Sequence, residues 1–173
     1  MYLPQGEWYD VHTTNIIQGG SEQTLAAPMD YIPVLQRAGT IVPLQMRLRR
    51  SASQMKHDPF TLRVIADINE SAVGHVYHDD RDGYGYEENQ YAYMEYVLKN
   101  GVLTSKRMEE GVFDCPNLIE RIIMKLRTIP KSISIEVAGE TRAAEFNVDM
   151  NHMEITIRKP NVRVTEEWTI RMN

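Results

Sequence analysis

The sequence is poor in cysteine, in long apolar runs and in positive charge. Its single cysteine, Cys115, allows no disulfide within the chain. No apolar run approaches the roughly 18 residues that a membrane-spanning helix needs, so we expect no membrane segment. Acidic residues outnumber basic ones by 24 to 19, and the net charge of -5 argues against a nucleic-acid partner, because phosphate contacts require a basic surface. We also expect no signal peptide, since residues 1–10 contain no basic stretch followed by an apolar one.

Apolar and polar residues alternate with a period of two along most of the chain, which is typical of half-buried β-strands. These segments are rich in the residue types that strands favour, and they lie at 60–67, 74–79, 91–98, 119–127, 132–138, 153–159 and 166–172. Turn-forming residues separate them at Asn100-Gly101, Ala138-Gly139, 149–151 and 159–161. No long amphipathic helix is indicated. The sequence therefore predicts an all-β fold of the sandwich or barrel type.

The first fifty residues differ from the rest of the chain. Four prolines and several glycines divide them into short pieces. Residues 47–59, RLRRSASQMKHDP, are polar and almost free of aliphatic side chains, which predicts an exposed loop or a linker. We therefore predict two β-sandwich-like modules, a proximal one over 1–50 and a distal one over 51–173. A piece of about 50 residues is marginal as an independent domain, so residues 1–46 are expected to pack against another surface.

Several stretches, taken in order, resemble the C-terminal region of the family 31 glycoside hydrolases, the α-glucosidases. YLPQGEWYD (2–10) and TLAAPMDYIPVLQRAGTIVPL (24–44) are similar to the segment that follows the catalytic barrel in that family. LRVIAD and then GHVYHDDRDGYGYE are similar to the start of its distal β-sandwich, where a Tyr-x-Asp-Asp turn joins two strands. RLRRS and the ending NHMEITIRKPNVRVTEEWTI are most similar to the glucosidase II subgroup. The resemblance covers nearly the whole chain.

The resemblance implies a reaction for a parent enzyme, not for this chain alone. Members of the family hydrolyse terminal α-linked glucose with retention, using two aspartates on a (β/α)8 barrel, and retaining glycosidases need two carboxyl groups about 5–5.5 Å apart. The similarity begins after that barrel, so we assign no catalytic, cofactor-binding or metal-binding residue here. The expected role is that of a scaffold for the barrel.

The glucosidase II subgroup adds further expectations: glucose trimming of N-glycans, a separate β subunit as partner, and the lumen of the endoplasmic reticulum as location. The alternative function is a carbohydrate-binding or interaction β module that acts without the barrel. In agreement with a secretory location, Asn69-Glu70-Ser71 forms an N-glycosylation sequon in a polar stretch, so Asn69 is a candidate modification site.

Some short patterns invite a functional interpretation that their surroundings do not support. Asp149-Met150-Asn151 matches part of the family's nucleophile motif, but no Trp precedes it and His152 replaces the Glu, so we predict a hairpin turn. RLRRS (47–51) fits a proprotein-cleavage pattern, but we interpret it as a solvated basic loop, because three close arginines repel one another unless they are exposed or paired. The five histidines lack metal-ligand spacing, and no zinc site is predicted.

The stretch YHDDRDGYGYE, residues 77–87, places four carboxylates around two glycines. An EF-hand calcium loop is excluded. If Asp80 is its first residue, Tyr91 occupies the twelfth position, where the loop requires Glu. Adjacent aspartates of an extended segment point to opposite sides, which excludes a glycosidase acid pair. The remaining interpretation is a hairpin turn with Gly83 and Gly85 at positive φ. Arg81 stands where the family usually has Gly, which predicts a shift of the turn toward Gly83.

Aromatic residues cluster in two places: Trp8 and Tyr9 near the start, and Tyr84, Tyr86, Tyr91, Tyr93 and Tyr96 after the acidic stretch. Platforms for sugar stacking and ordinary cross-strand packing are both compatible with this pattern. A concave surface with two or more exposed rings would favour the carbohydrate-binding module, whereas buried rings would favour the scaffold.

Overall fold

The computed structural model describes residues 1–173, and almost all of its regular structure is extended. The elements are β1 (Tyr2–Leu3), β2 (Glu7–Asp10), β3 (Ile16–Gln18), β4 (Ser21–Glu22), β5 (Leu35–Arg37), β6 (Thr40–Leu44), a 3₁₀ turn (Ala52–Met55), β7 (Phe60–Ile65), β8 (Ala72–His78), a second 3₁₀ turn (Gly85–Glu88), β9 (Ala92–Lys99), β10 (Val102–Arg107), β11 (Leu118–Lys125), β12 (Ile133–Val137), β13 (Glu140–Ala143), β14 (Phe146–Asp149), β15 (Glu154–Arg163) and β16 (Trp168–Met172). The all-β prediction is confirmed. None of the helical segments has the length and apolar character needed to cross a membrane.

Eleven strands form one mixed sheet, in the order β13-β12-β16-β10-β9-β8-β6-β7-β11-β15-β14. Its neighbours are antiparallel except for two parallel pairs, β6 with β8 and β7 with β11. Strands β3, β2 and β5 form a small second sheet, and β1 pairs with β4. Each segment that alternates in the sequence therefore becomes a strand of the large sheet.

The large sheet curls until strands that are distant in its order face one another. The Tyr96 hydroxyl of β9 donates to the carbonyl of Val164, just beyond β15, at 2.9 Å. Near the two ends of the sheet, Arg142 of β13 donates to the carbonyl of Pro160 in β15. The curled sheet encloses one cluster of 23 buried, mostly apolar residues. Removing this apolar surface from water is the main favourable contribution to folding.

Two of the predicted turns are tight hairpins of the expected kind. Asn100 and Gly101, at φ 52° and 72°, join β9 to β10, and Ala138 and Gly139, at φ 49° and 82°, join β12 to β13. Positive φ at both central residues is typical of the turn whose twist matches the flanking strands.

The turn predicted at 159–161 is wrong, because these residues lie inside the continuous strand β15. Pairing with β11 passes from Ile119 opposite Val162 to Arg121 opposite Arg158, so three residues of β15 face the single residue Glu120. The strand bulges at this point, with positive φ at Lys159 and Asn161. The turn-forming residues thus bend a strand and do not end it.

The first fifty residues are tied to the rest of the molecule. β6 is hydrogen-bonded into the large sheet between β7 and β8. The mostly exposed loop 47–59 is tied to β11 by Arg47, which pairs with Glu120 at 3.0 Å. A second contact lies within the loop, where Nε of Arg49 donates to the buried Asp58 at 2.9 Å. The division into modules at residue 50 stays a prediction. β6 precedes that boundary in the sequence but belongs to the same sheet as the strands that follow it.

Candidate functional site

A cleft opens in the large sheet between β6 and β8. The two strands are paired only at Thr40 and Val73. They approach closely at Gly74, where a Cβ atom would lie 2.0 Å from the Ile41 carbonyl oxygen. Beyond this point the strands separate. A pocket of about 350 Å³ lies between the end of β8 and two residues on the other side, Pro43 of β6 and Gln45 just after it.

His78 lines the cleft and has no hydrogen-bond partner. Its side chain is 8% exposed and packs edge-on against Phe60, with 5.0 Å between the ring centroids. Nε2 of His78 is the one buried side-chain nitrogen or oxygen in the chain without a partner. Burial lowers the pKa of His78 to about 4, and the positive charge of Arg81 acts in the same direction. The imidazole is therefore neutral at neutral pH.

Two aromatic side chains of β8 lie on the outer face of the sheet beside the cleft. Tyr77, 49% exposed, stacks on Tyr91 with centroids 5.5 Å apart, and His75 stacks on Tyr93 at 5.6 Å. Cross-strand stacking holds the rings in place, as is usual for aromatic pairs in sheets. The β8–β9 hairpin therefore presents an ordered row of rings to solvent.

The other predicted aromatic residues divide between surface and core. Tyr84 and Tyr86 are exposed. Tyr96 is fully buried and stacks on Trp168. Tyr9 is also buried, and its hydroxyl donates to Glu154 at 3.2 Å. The Trp8 indole donates to the carbonyl of Pro4 and serves the local turn. Exposed and buried rings therefore both occur, and the choice between sugar platforms and ordinary packing stays a prediction.

The acidic stretch connects β8 to β9, which pair as an antiparallel hairpin. The connection is longer than a tight turn, because it spans 79–91 and contains the second 3₁₀ turn. Asp79 accepts a hydrogen bond from the backbone N–H of Arg81, and Asp80 accepts one from that of Gly83. These bonds are the side-chain-to-backbone contacts predicted for the aspartates.

The prediction of positive φ at Gly83 and Gly85 is wrong. Arg81, at φ 72°, and Asn89, at φ 60°, take the left-handed conformations instead. The glycines have a different use, since a Cβ on Gly83 would lie 2.5 Å from an Asp80 oxygen and one on Gly85 would lie 3.0 Å from Cβ of Gln90. They allow close packing within the connection.

The remaining sequence candidates lie apart from the cleft. Asp149 accepts hydrogen bonds from the backbone N–H groups of Asn151 and His152, which confirms the predicted turn between β14 and β15. Asn69 is exposed in the turn between β7 and β8. No three His, Cys, Asp or Glu side chains are grouped so that they could hold a metal ion.

Sequence reasoning misses the cleft, because spacing arguments consider histidines only as metal ligands. The alternation within 74–79 places His78 on the same face as Gly74 and Val76, and this is the one sequence signal for its burial. The separation of β6 from β8 has no local signal, since it depends on the pairing of strands that are distant in sequence.

The first fifty residues also carry an unusual number of exposed apolar side chains. Ile32 is 79% exposed and Leu48 is 99% exposed, and Met29 is fully exposed. Residues 23–34 contain no strand and few backbone hydrogen bonds. Large apolar side chains concentrated in a segment with little structure of its own are typical of a surface that another domain covers.

The structure thus defines an all-β protein with several exposed apolar side chains in its first fifty residues. The family described as "Glycosyl hydrolase family 31 C-terminal domain" matches residues 1–42. The chain belongs to glycosyl hydrolase family 31, as the C-terminal sequence motifs predict.

Relatives match this chain over almost its full length. It is 35% identical to a probable glucan 1,3-alpha-glucosidase of Arabidopsis thaliana, and the alignment covers 99% of this chain and 20% of that relative. It is 33% identical to neutral alpha-glucosidase AB of Homo sapiens, over 99% of this chain and 19% of the relative. A crystal structure of an ER glucosidase II heterodimeric complex, consisting of the catalytic subunit and the binding domain of the regulatory subunit, superimposes with a TM-score of 0.87 at 30% identity, over 100% of this chain and 21% of that one. The chain thus spans about a fifth of the length of the relatives it matches.

Proposed function

We propose that this chain is the non-catalytic C-terminal β portion of a retaining α-glucosidase and serves as a scaffold for the catalytic (β/α)8 barrel. The observation that carries the proposal is the contrast between the two parts of the chain. The curled sheet has a continuous buried core, whereas Met29, Ile32 and Leu48 are left in water. Burying a large apolar side chain contributes about 1.5–3 kcal/mol, so a barrel that covers these residues would gain several such contributions.

A domain-replacement experiment tests the scaffold role. The chain would replace the matching C-terminal part of human neutral alpha-glucosidase AB, and hydrolysis of an aryl α-glucoside and thermal stability would be measured. We expect the chimera to be active, and the double variant Ile32→Glu/Leu48→Glu to lose activity and melt earlier. The control is Met150→Glu, at a side chain that is 66% exposed in the turn between β14 and β15. Equal activity and melting temperature in all three chimeras would contradict the proposal.

The isolated chain is expected not to hydrolyse α-glucosides. Retaining chemistry requires two carboxyl groups held about 5–5.5 Å apart on rigid elements, and the proposal places them on the barrel. The measurement is glucose release from maltose and from an aryl α-glucoside, compared with a mock preparation. Release at a rate that scales with the amount of purified chain would show that it carries a catalytic pair of its own.

We further propose that the parent enzyme removes glucose from N-glycans in the lumen of the endoplasmic reticulum together with a β subunit. Support comes from the RLRRS and C-terminal motifs and from the likeness to a glucosidase II catalytic subunit whose structure was solved with the binding domain of its regulatory subunit. Co-purification of tagged full-length enzyme with a β subunit, and loss of N-glycan trimming on its depletion, would test this assignment.

Asn69 is expected to carry an N-glycan if the parent enzyme enters the secretory pathway. The side chain is exposed, and Asp67 Oδ1 accepts hydrogen bonds from the backbone N–H groups of Asn69 and Ser71, which holds the sequon in an accessible turn. Expressed with a secretory signal in eukaryotic cells, the chain should lose mass on treatment with an N-glycosidase. Asn69→Gln should abolish the change, and Asn161→Gln, at an asparagine outside any sequon, should leave it intact.

A further inference from the structure

We propose that residues 46–58, the docking loop, bind an acidic and apolar patch of the catalytic barrel, with Leu48 and Arg50 as the contact residues. This inference rests on the proposed scaffold function and deepens it, because it names the segment that meets the barrel and the chemistry of the facing surface. Three features carry it: side-chain anchors that hold the loop, outward side chains without partners, and an excess of positive charge.

The docking loop is held by side chains and not by secondary structure. Residues 46–50 lie outside every strand and make no backbone–backbone hydrogen bond. Instead, the Arg49 guanidinium donates to both carboxylate oxygens of Asp58, and Arg47 pairs with Glu120 of β11 at 3.0 Å. Asp58 is only 2% exposed. Because removing a carboxylate from water is unfavourable and its partner offsets this only in part, the buried pair is better explained by the loop shape it fixes than by stability.

The side chains between these anchors have no partner in the chain. Met46 is 55% exposed and Leu48 is 99% exposed. The Arg50 side chain is also exposed, and of this residue only the backbone N–H is hydrogen-bonded within the loop. Anchored and free side chains thus alternate, as they do in a segment that runs in extended form. Fastening Arg47 and Arg49 to the protein leaves the other three side chains on the solvent side.

Such a loop is suited to recognition. A segment that is already held in one shape loses little conformational freedom when it binds, so more of the contact energy appears as affinity. Arginine is also among the residues that contribute most at the centre of protein contacts. The docking loop presents one guanidinium next to a leucine that is entirely in water, and both would gain from a partner surface.

The charge of the loop favours an acidic partner. The whole chain has a net charge of -5, yet residues 46–58 contain four cations and one carboxylate. That carboxylate, Asp58, is already used by Arg49. A guanidinium can bind a carboxylate with two parallel hydrogen bonds, which are stronger than bonds between neutral groups. We therefore expect an Asp or Glu on the facing surface, beside an apolar depression that receives Leu48.

The barrel is the partner that fits these properties. Leu48 belongs to the same first fifty residues as the exposed Met29 and Ile32, so one neighbouring domain can cover all three. The chain aligns with only 20% of its Arabidopsis relative, so such an enzyme has a large remaining part that can supply the surface. A leucine that is 99% exposed favours permanent cover, which a domain of the same polypeptide provides and a transient partner does not.

Photo-cross-linking in the chimera with human neutral alpha-glucosidase AB tests where the loop lies. Leu48 is replaced by p-benzoylphenylalanine, the chimera is irradiated, and cross-linked peptides are identified by mass spectrometry. We expect cross-links from position 48 to barrel peptides that contain Asp or Glu. The control carries the same photoreactive residue in place of Met150, which is 66% exposed in the turn between β14 and β15, and should give no cross-link to the barrel.

Thermal inactivation of the chimera tests the role of the charge. Arg50→Glu should raise the inactivation rate about tenfold, the factor that corresponds to about 1.4 kcal/mol. Arg50→Lys should have a smaller effect, and high salt should reduce the difference from wild type. The matched control is Lys99→Glu, at an exposed cation of the β9–β10 hairpin, and should leave the rate unchanged. In the isolated 173-residue chain, Arg50→Glu should leave the melting temperature unchanged, because the side chain has no partner there.

The opposite results would overturn the proposal. Cross-links from position 48 that stay within the 173 residues, or no cross-links, would show that the loop does not meet the barrel. Cross-links to a co-expressed β subunit, with none to the barrel, would assign the loop to that partner. Equal inactivation of wild type and Arg50→Glu would remove the role of charge. Ile32→Glu separates the two proposals: if it alone inactivates the chimera, the scaffold role holds and the docking loop is not its contact.

Discussion

Buried polar side chains in this chain are partnered, with His78 as the exception. The hydroxyl of Tyr9 donates to Glu154, and burial together with this carboxylate raises the pKa of Tyr9 to about 12. Asp58 is held by Arg49, whose hydrogen bond lowers the pKa of that carboxyl. Asn117 donates to the carbonyls of Lys56 and Asp58. Against this background His78 is the one buried side chain whose polar atom the fold leaves unpaired.

Stability is expected to fall between pH 6.5 and pH 4 because of His78. The unfolded imidazole binds a proton near pH 6.5, whereas burial lowers the pKa in the folded chain to about 4. The unfolded state therefore takes up protons first, so the stability contributed by the neutral imidazole is complete above pH 6.5 and is lost as the pH falls toward 4. A difference of this size corresponds to roughly 3 kcal/mol.

Urea unfolding at pH 7 and at pH 4.5 measures this effect. We expect His78→Phe to reduce the difference in unfolding free energy between the two pH values, and His57→Gln, at an exposed histidine, to leave it unchanged. An undiminished pH dependence in His78→Phe would mean that other groups, such as the carboxylates, cause it.

At the scale of elements, β8 is the strand on which the candidate site depends. It is paired with β9 along its whole length and with β6 at one point only. Gly74 makes that one contact possible, because any larger residue would place a Cβ against the backbone of Ile41. Gly74 thus allows β6 and β8 to approach closely at one end, whereas the strands are not paired at the other end.

Gly74→Ala is expected to destabilise the fold by at least about 2 kcal/mol. The added Cβ would lie 2.0 Å from a backbone oxygen, which cannot move aside as a flexible side chain can, and overpacking of this kind typically costs about 1–3 kcal/mol or more. Val73→Ala, at the neighbouring exposed position, serves as the control and should change stability little. Chemical denaturation gives both values, and equal stability of the two variants would show that β6 and β8 can separate without penalty.

At the scale of the whole molecule, the small N-terminal sheet rests on the large sheet through polar contacts. Arg127, which follows β11 of the large sheet, pairs with Glu7 of β2 at 2.7 Å. Lys125 donates to the carbonyl of Thr14 at 3.0 Å, and its ammonium lies 5.4 Å from the ring centroid of Tyr9. Exposed ion pairs of this type contribute only about 0–1 kcal/mol each, so this attachment is weaker than the core of the curled sheet.

Hydrogen exchange should therefore divide the chain into three levels of protection. We expect the slowest exchange in β7, β9 and β11, whose inner residues are almost fully buried. Exchange should also be slow in β6, because it is paired with β7 along its whole length. Residues 23–34, with few backbone hydrogen bonds, should exchange fastest, because local opening there disrupts little structure. Slow exchange across 23–34 would show that this segment completes a core of its own and would remove the main support for the scaffold proposal.

The sequence by itself determines the fold class, most of the strands and the family. Alternation of apolar residues is a local property, and so are the Asn-Gly and Ala-Gly turns, which is why β7, β8, β9, β11, β12 and β16 are found where they are predicted. The family motifs and their order can be identified in the sequence without any knowledge of tertiary contacts. Local patterns fail at 159–161, where turn residues form a bulge that only the pairing of β15 with β11 explains.

Only the tertiary structure decides which residues form the candidate site. The cleft is created by strands 72–78 and 40–44, which run side by side, touch once and then diverge, and no local pattern encodes such a distance. The same holds for the unpartnered state of His78, which follows from everything that packs around it. Sequence fixes which side of a strand a residue faces, because the period of a strand is local, whereas burial, partners and clefts are properties of the closed sheet.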